Sequence, residues 1–185
     1  MKKHFHIQYI GYWSERYENG VTPAFLCGVI DKASRDKIVA YLKNGIRGTE
    51  FLGYARCRFE CELSNTKALG NTDMTDGQWM WPEGLSHYVE KHNLLLPPEF
   101  LKYLKRNNYQ LPPIDSDFAK SFTGEGYPQQ IETSGDDKVW VNWLKEKGED
   151  EYLLNPIQAK KVTRHPPEHD VFDDFFKVQK EKDDR

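Results

Sequence analysis

Histidine and cysteine are the residue types here with the most chemistry to offer. His4 and His6 stand two apart, Cys57 and Cys61 four apart, and His87 and His92 five apart. Imidazoles and thiolates are the usual ligands of zinc. The cysteines, however, sit in a run that alternates from Phe51 to Leu63. Ala55, Cys57, Phe59, Cys61 and Leu63 fall on one side and Arg56, Arg58, Glu60 and Glu62 on the other, the pattern of a strand with one buried face. On an extended strand, positions four apart are separated by roughly 13 Å at about 3.3 Å per residue. A zinc ion needs each sulfur within about 2.3 Å, and a disulfide needs Cα atoms less than about 7 Å apart. The expectation is therefore two buried structural cysteines, with no metal and no cofactor.

His87 is the next candidate. On a helix, Glu83 lies one turn before it and Glu90 nearly one turn after it, and flanking carboxylates favour a charged imidazole; a solvated or hydrogen-bonded structural histidine is nonetheless the preferred reading. His92 is about 140° further round such a helix and so does not pair with His87 on a metal as an i, i+4 histidine would. Trp79, Trp81 and Tyr88, beside Asp73 and Asp76, could stack a sugar or base, or wall a small core, and the second reading is preferred; Asp73 and Asp76 as an acid pair are a weak signal, because Asp76-Gly77 is first a turn dipeptide. If the chain is an enzyme, His87 with Glu83 and Asp76 is the catalytic set. Its ligand pocket is then Asp73, Trp79, Trp81, His87 and Tyr88. The sequence has no nucleophile elbow, phosphate loop or dinucleotide glycine fingerprint.

Residues Thr75 to Leu104 organise these candidates. Pro82 suits the first position of a helix bearing Leu85, Tyr88, Val89 and His92, closed by Asn93. Pro97-Pro98-Glu99 opens a second, with Phe100, Leu101 and Leu104 apolar and Asn107-Asn108 as its stop. Upstream, Phe5–Ile10 alternates as a strand, Ala24–Ile30 reads as a central strand, and Ser34 can cap a helix over Arg35–Asn44. Downstream, residues 109–138 are rich in proline and glycine and read as irregular, with one helical turn near Phe118–Phe122. Val139–Leu144 returns to strand character, a last helix starts near Asp170, and residues 180–185 should fray. The expected fold is α+β in one domain, an antiparallel or mixed sheet of about four to five strands on three to four helices. Residues 1–108 form its core, 109–138 the irregular segment, and 139–179 a strand with a C-terminal helix.

Composition narrows the classes. A formal charge of −3 gives no basic footprint for nucleic acid, and Arg56 and Arg58 alternate with Glu60 and Glu62 rather than forming a stripe. From Glu132 to Arg185 there are 14 acids against 10 bases, a balance of −4; the first 131 residues hold 15 acids and 16 bases, +1. Acidic excess thus gathers in the last third. No run approaches the ~20 apolar residues of a membrane span. His4, His6 and Gln8 interrupt any signal-like apolar stretch, and three cysteines make no disulfide framework. A cytoplasmic protein is expected.

The text Arg56-Cys57-Arg58-Phe59, Gly70, then Thr75-Asp76-Gly77-Gln78-Trp79-Met80-Trp81-Pro82-Glu83-Gly84-Leu85-Ser86-His87-Tyr88-Val89, His92, Leu96-Pro97 and Glu99-Phe100 resembles a family of small bacterial proteins. Its shared signature is roughly TDGxWxWPEGLxHYVxxHxxxLPxEF, and the likeness covers residues 50–105. Some of its members resemble immunity proteins encoded beside secreted or contact-dependent toxins. The second cysteine, Cys61, falls later than in that pattern, so no metal or redox role is carried over. The resemblance implies a non-catalytic binding protein that neutralises a cognate toxin. A basic nuclease domain would suit an acidic surface of Glu149, Asp150, Glu151, Asp170, Asp173 and Asp174, with Trp140, Trp143 and Phe172 as anchors.

Overall fold

The computed structural model describes residues 3–12, 26–59, 61, 69–124 and 131–149. Its elements run β1 (Lys3–Tyr9), α1 (Lys32–Lys43), β2 (Ile46–Glu50), β3 (Thr72–Thr75), β4 (Trp79–Pro82), α2 (Leu85–His92), α3 (Pro98–Arg106), α4 (Ser116–Thr123), β5 (Ile131–Asp136) and α5 (Lys138–Leu144), followed by a π-helical turn, Lys145–Glu149. The strands form one mixed sheet in the order β2-β3-β4-β1-β5. Strand β1 is parallel to β4 and β5, while β2–β3 and β3–β4 are antiparallel. This is an α+β fold. Among the described residues, no helix is long and apolar enough to cross a membrane.

The β3–β4 hairpin is the local centre of the fold, and its turn is written in the sequence. Gly77 takes φ 88°, a conformation that favours glycine. The Asp76 carboxylate accepts the N–H groups of Gln78 and Trp79 at 2.8 and 2.6 Å. Thr75 accepts from the Gly77 N–H at 3.0 Å and donates to the Trp79 carbonyl at 2.7 Å. Tyr41 of α1 donates to Asp76 at 2.6 Å, and the Trp81 indole N–H donates to the Leu42 carbonyl at 3.1 Å. Two side-chain hydrogen bonds thus tie helix α1 to the hairpin, and the rings of Tyr41, Trp79, Trp81 and Phe100 pack between them.

Several sequence expectations need correction. Pro82 ends β4, opposite Asp73, instead of starting a helix. Helix α2 begins at Leu85 with Gly84 as its N-cap, and Gly84 lies so close to Leu69 that a Cβ there would sit 2.9 Å from the Leu69 carbonyl. Asp31, not Ser34, caps α1: its carboxylate accepts the Ser34 N–H at 2.9 Å. Of the strand expected over 24–30, the described part makes a single bridge, Cys27 to Leu94. Segment 109–138 contains a capped helix, α4, and the edge strand β5. Val139–Leu144 is helical: its short, almost continuously apolar run suits a buried strand as well as a helix, but Trp140, Trp143 and Leu144 share a helix face at i, i+3, i+4. The C-terminal helix expected from Asp170 lies outside the described residues.

The correction with most consequence concerns 51–63. Strand β2 stops at Glu50, and the described residues after it are irregular, with a turn at Arg58–Phe59. The Phe51 N–H reaches the Asn71 carbonyl at 2.7 Å and the Ala55 N–H the Gly70 carbonyl at 2.9 Å. After these two bonds the segment leaves the sheet and crosses to helix α2.

Candidate metal centre

Helix α2 carries both histidines. It ends at His92, where Asn93 adopts the left-handed conformation (φ 51°, ψ 40°) and closes the last turn onto Tyr88. Tyr88 faces the 51–61 segment. Its hydroxyl accepts the Arg58 N–H at 3.2 Å and donates to the Arg56 carbonyl at 3.3 Å, so one phenol holds the backbone on both sides of Cys57. Phe59 lies flat on the His92 ring, centroids 4.2 Å apart and planes 9° from parallel. The turn at Arg58–Phe59 then brings Cys61 back toward Cys57.

The outcome is a cluster of Cys57, Cys61, His87 and His92, whose four donor atoms all lie within 4.8 Å of one another. Cys57 Sγ is 3.2 Å from the Nε2 atoms of both His87 and His92, and those two nitrogens are 3.2 Å apart. Cys61 Sγ is 3.5 Å from His87 Nε2. A zinc ion bound tetrahedrally by two sulfurs and two nitrogens has ligand–ligand edges of about 3.3 Å (N to N), about 3.6 Å (N to S) and about 3.8 Å (S to S). Hydrogen bonding alone does not account for the convergence. An imidazole Nε2 carries one proton or one lone pair, yet His87 Nε2 meets three partners at once.

Burial sets the protonation states. Cys57 and His87 are buried, Cys61 and His92 half-buried. Burial depresses both imidazoles below the usual histidine value, and the facing His92 depresses His87 further, so both rings are neutral and ligand-ready at neutral pH. Burial also pushes the Cys57 thiol up to about 11, so without a cation this sulfur keeps its proton. A divalent ion reverses that preference, because a coordinating thiol is deprotonated outright.

The site residues expected from sequence are distributed differently. His87 is in the cluster, but its supposed carboxylate partners are not. Glu83 pairs with Arg47, and Glu90 with Lys43 at 2.8 Å, which holds the Glu90 carboxyl below its usual range. Asp76 sits in the hairpin turn, and Asp73 accepts from the Tyr12 hydroxyl at 2.7 Å. Trp79 and Trp81 are in the core, with Tyr88 as the clamp on Arg56 and Arg58. Trp140 and Trp143 are buried too, at 1% and 4% exposure. The Glu149 side chain and residues Asp150, Glu151, Asp170, Phe172, Asp173 and Asp174 lie outside the described set.

Cys57, Cys61 and His92 are the site residues that sequence reasoning set aside. Their exclusion rested on an extended strand that does not form and on a backbone angle between helical histidines. The rings reach beyond the backbone and turn toward each other, so 140° at the helix axis does not part their tips. The signal was available: two cysteines four apart and two histidines five apart fall within zinc-ligand spacings. Comparison with protein-family models, with curated proteins and with solved structures found no match to the chain.

Proposed function

We propose that this protein is a zinc-binding, non-catalytic binding protein in which Cys57, Cys61, His87 and His92 hold one structural zinc ion. The observation that carries the reading is the convergence of four donor atoms, from two segments 26 residues apart at the nearest, on one tetrahedron-sized point. Two thiolates and two neutral imidazoles suit zinc, and four protein ligands leave no open position for a substrate or reactive water. The ion's role is to fasten segment 51–61 to α2, as structural zinc does where a short irregular segment has little core of its own.

Zinc analysis of the purified protein tests this directly. One zinc per chain is expected, with loss in Cys57→Ser or His87→Ala. Cobalt in its place should give the intense visible bands of tetrahedral thiolate coordination. Protein that binds neither metal stoichiometrically under reducing conditions would refute the proposal.

The binding partner we favour is another protein, in the manner of an immunity protein with its toxin. Support comes from the resemblance of residues 50–105 and from Phe51, Leu52 and Tyr54, which stand 58%, 90% and 44% exposed on the segment the centre fastens. Exposed aromatic and aliphatic side chains held on a fixed backbone suit protein contact. Co-expression with the product of a neighbouring toxin gene should yield a complex and protect the host, and failure of both would remove this partner.

A further inference from the structure

The two sulfurs of the centre are not equivalent. Cys57 is 6% exposed, whereas Cys61 is half-buried at the margin of the cluster. They flank a turn at Arg58–Phe59, and their Sγ atoms lie within 4.8 Å of each other. None of the described residues from Phe51 to Cys61 belongs to a helix or strand, so no sheet ladder holds the cysteines apart. A disulfide needs the two sulfurs to close to about 2.0 Å, and the irregular backbone beside these already neighbouring thiols leaves that approach open. The third thiol, Cys27, is outside the cluster, opposite Leu94.

From this asymmetry we infer that the centre is an oxidant-operated clasp, in which a peroxide converts the Cys57 and Cys61 thiolates to a disulfide and expels the zinc. The inference rests on the zinc reading above. The Cys61 sulfur, the more accessible, attacks one oxygen of hydrogen peroxide; the O–O bond breaks, hydroxide leaves, and Cys61 becomes a sulfenic acid. The Cys57 sulfur then attacks the Cys61 sulfur; the S–S bond forms, the S–O bond breaks, and a second hydroxide leaves. Two protons from solvent convert the two hydroxides to water. The peroxide has gained two electrons and the sulfur pair has lost two, while zinc keeps its charge and departs to solvent. With both thiolates gone, two neutral imidazoles remain, too few to hold the ion. The ion's fastening of segment 51–61, with Phe51, Leu52 and Tyr54 upon it, is thereby lost.

The test starts from reduced protein with its zinc content measured. Hydrogen peroxide is then added in the presence of a chromogenic zinc chelator, and the thiols are mapped by alkylation and mass spectrometry. One zinc should be released per Cys57–Cys61 disulfide formed, with Cys27 still alkylated, and thiol reductant plus zinc should restore the starting state. Cys61→Ser would blur loss of ligation with loss of the switch. Cys61→His, which offers a fourth ligand but no disulfide partner, should retain zinc through the same treatment. Wild-type protein that keeps its zinc under excess peroxide, or a zinc-loaded Cys61→His that loses it equally fast, overturns the inference. Absence of zinc before any oxidant is added is a different failure, that of the zinc reading, and takes the switch with it.

Discussion

The hairpin core and the cysteine–histidine cluster are neighbours in space but are held together by different physics. Around Trp79 and Trp81, large rings from α1, β4 and α3 are buried, and the Tyr41 hydroxyl and the Trp81 indole N–H reach the Asp76 carboxylate and the Leu42 carbonyl. Stability in that region is spread over many contacts of small individual value. Segment 51–61 instead has few buried side chains, two backbone bonds to Gly70 and Asn71, one tyrosine clamp and four polar tips at one point. A distributed core degrades by degrees, whereas the proposed centre of four donors around one ion would be lost at a single substitution.

The largest expected effect tests the distributed side. Trp81→Ala removes a fully buried indole and leaves the Leu42 carbonyl without its donor. A cost of about 3–5 kcal/mol is expected, a large share of a typical domain's total stability. Urea denaturation should show it whether or not zinc is present. A loss below about 1 kcal/mol would mean that the rings are not the structural centre.

Removing the ion should be smaller and more local. Cys57→Ser, or chelation of the native protein, should abolish zinc binding while leaving the near-ultraviolet signal of the tryptophans intact. Limited proteolysis should then cut between residues 51 and 61. At free zinc a hundredfold above its dissociation constant, the lost stabilisation is about 2.7 kcal/mol. If the tryptophan signal collapses with the metal, the two regions are one cooperative unit and the contrast drawn above is wrong.

This contrast also explains what was legible in the sequence. The Asp76-Gly77 turn, the apolar face of α3 and its proline start are local: a residue's own backbone preference and its neighbours within one turn decide them. The path of 51–61 is not local. Its alternation suits a strand, and what bends it is a phenol on α2, a ring stacked on His92 and donors 26 or more residues away. Val139–Leu144 failed for a third reason: the run is almost continuously apolar, which suits a buried strand, yet Trp140, Trp143 and Leu144 carry the i, i+3, i+4 spacing of a helix face. At the site, the ligand types were visible as residues. Their convergence was not, because it depends on side-chain reach rather than on spacing along an ideal element.

A smaller change separates the clamp from the ion. Tyr88→Phe keeps the buried ring but removes the hydroxyl that bonds Arg58 and Arg56. About 1 kcal/mol of stability should be lost. Zinc should still bind, more weakly, because the protein must now order the backbone beside Cys57 without that help. Unchanged zinc affinity in a competition titration would show that the ligands alone position the segment.

The smallest expected effect returns to the hairpin and appears as a pH dependence. Burial holds the Asp76 carboxyl above its usual range, against the pull of the Tyr41 hydroxyl and the Gln78 and Trp79 N–H groups. A carboxyl whose folded value is raised binds its proton more tightly in the folded state, so its contribution is greatest below the unfolded value of about 3.9 and declines as pH rises through the folded one. Asp76→Asn keeps an oxygen to accept the two turn N–H groups but has no proton to lose. The difference in unfolding free energy, wild type minus Asp76→Asn, should therefore fall as pH rises from the unfolded carboxyl value of about 3.9 through the raised folded one, and then level off. Asp76→Ala, which loses the turn acceptor altogether, should be destabilised at every pH. A wild-type advantage over Asp76→Asn that grows with pH would mean that the hydrogen bonds to the charged carboxylate outweigh its burial, placing the hairpin turn, like the cluster, under the control of a few polar contacts.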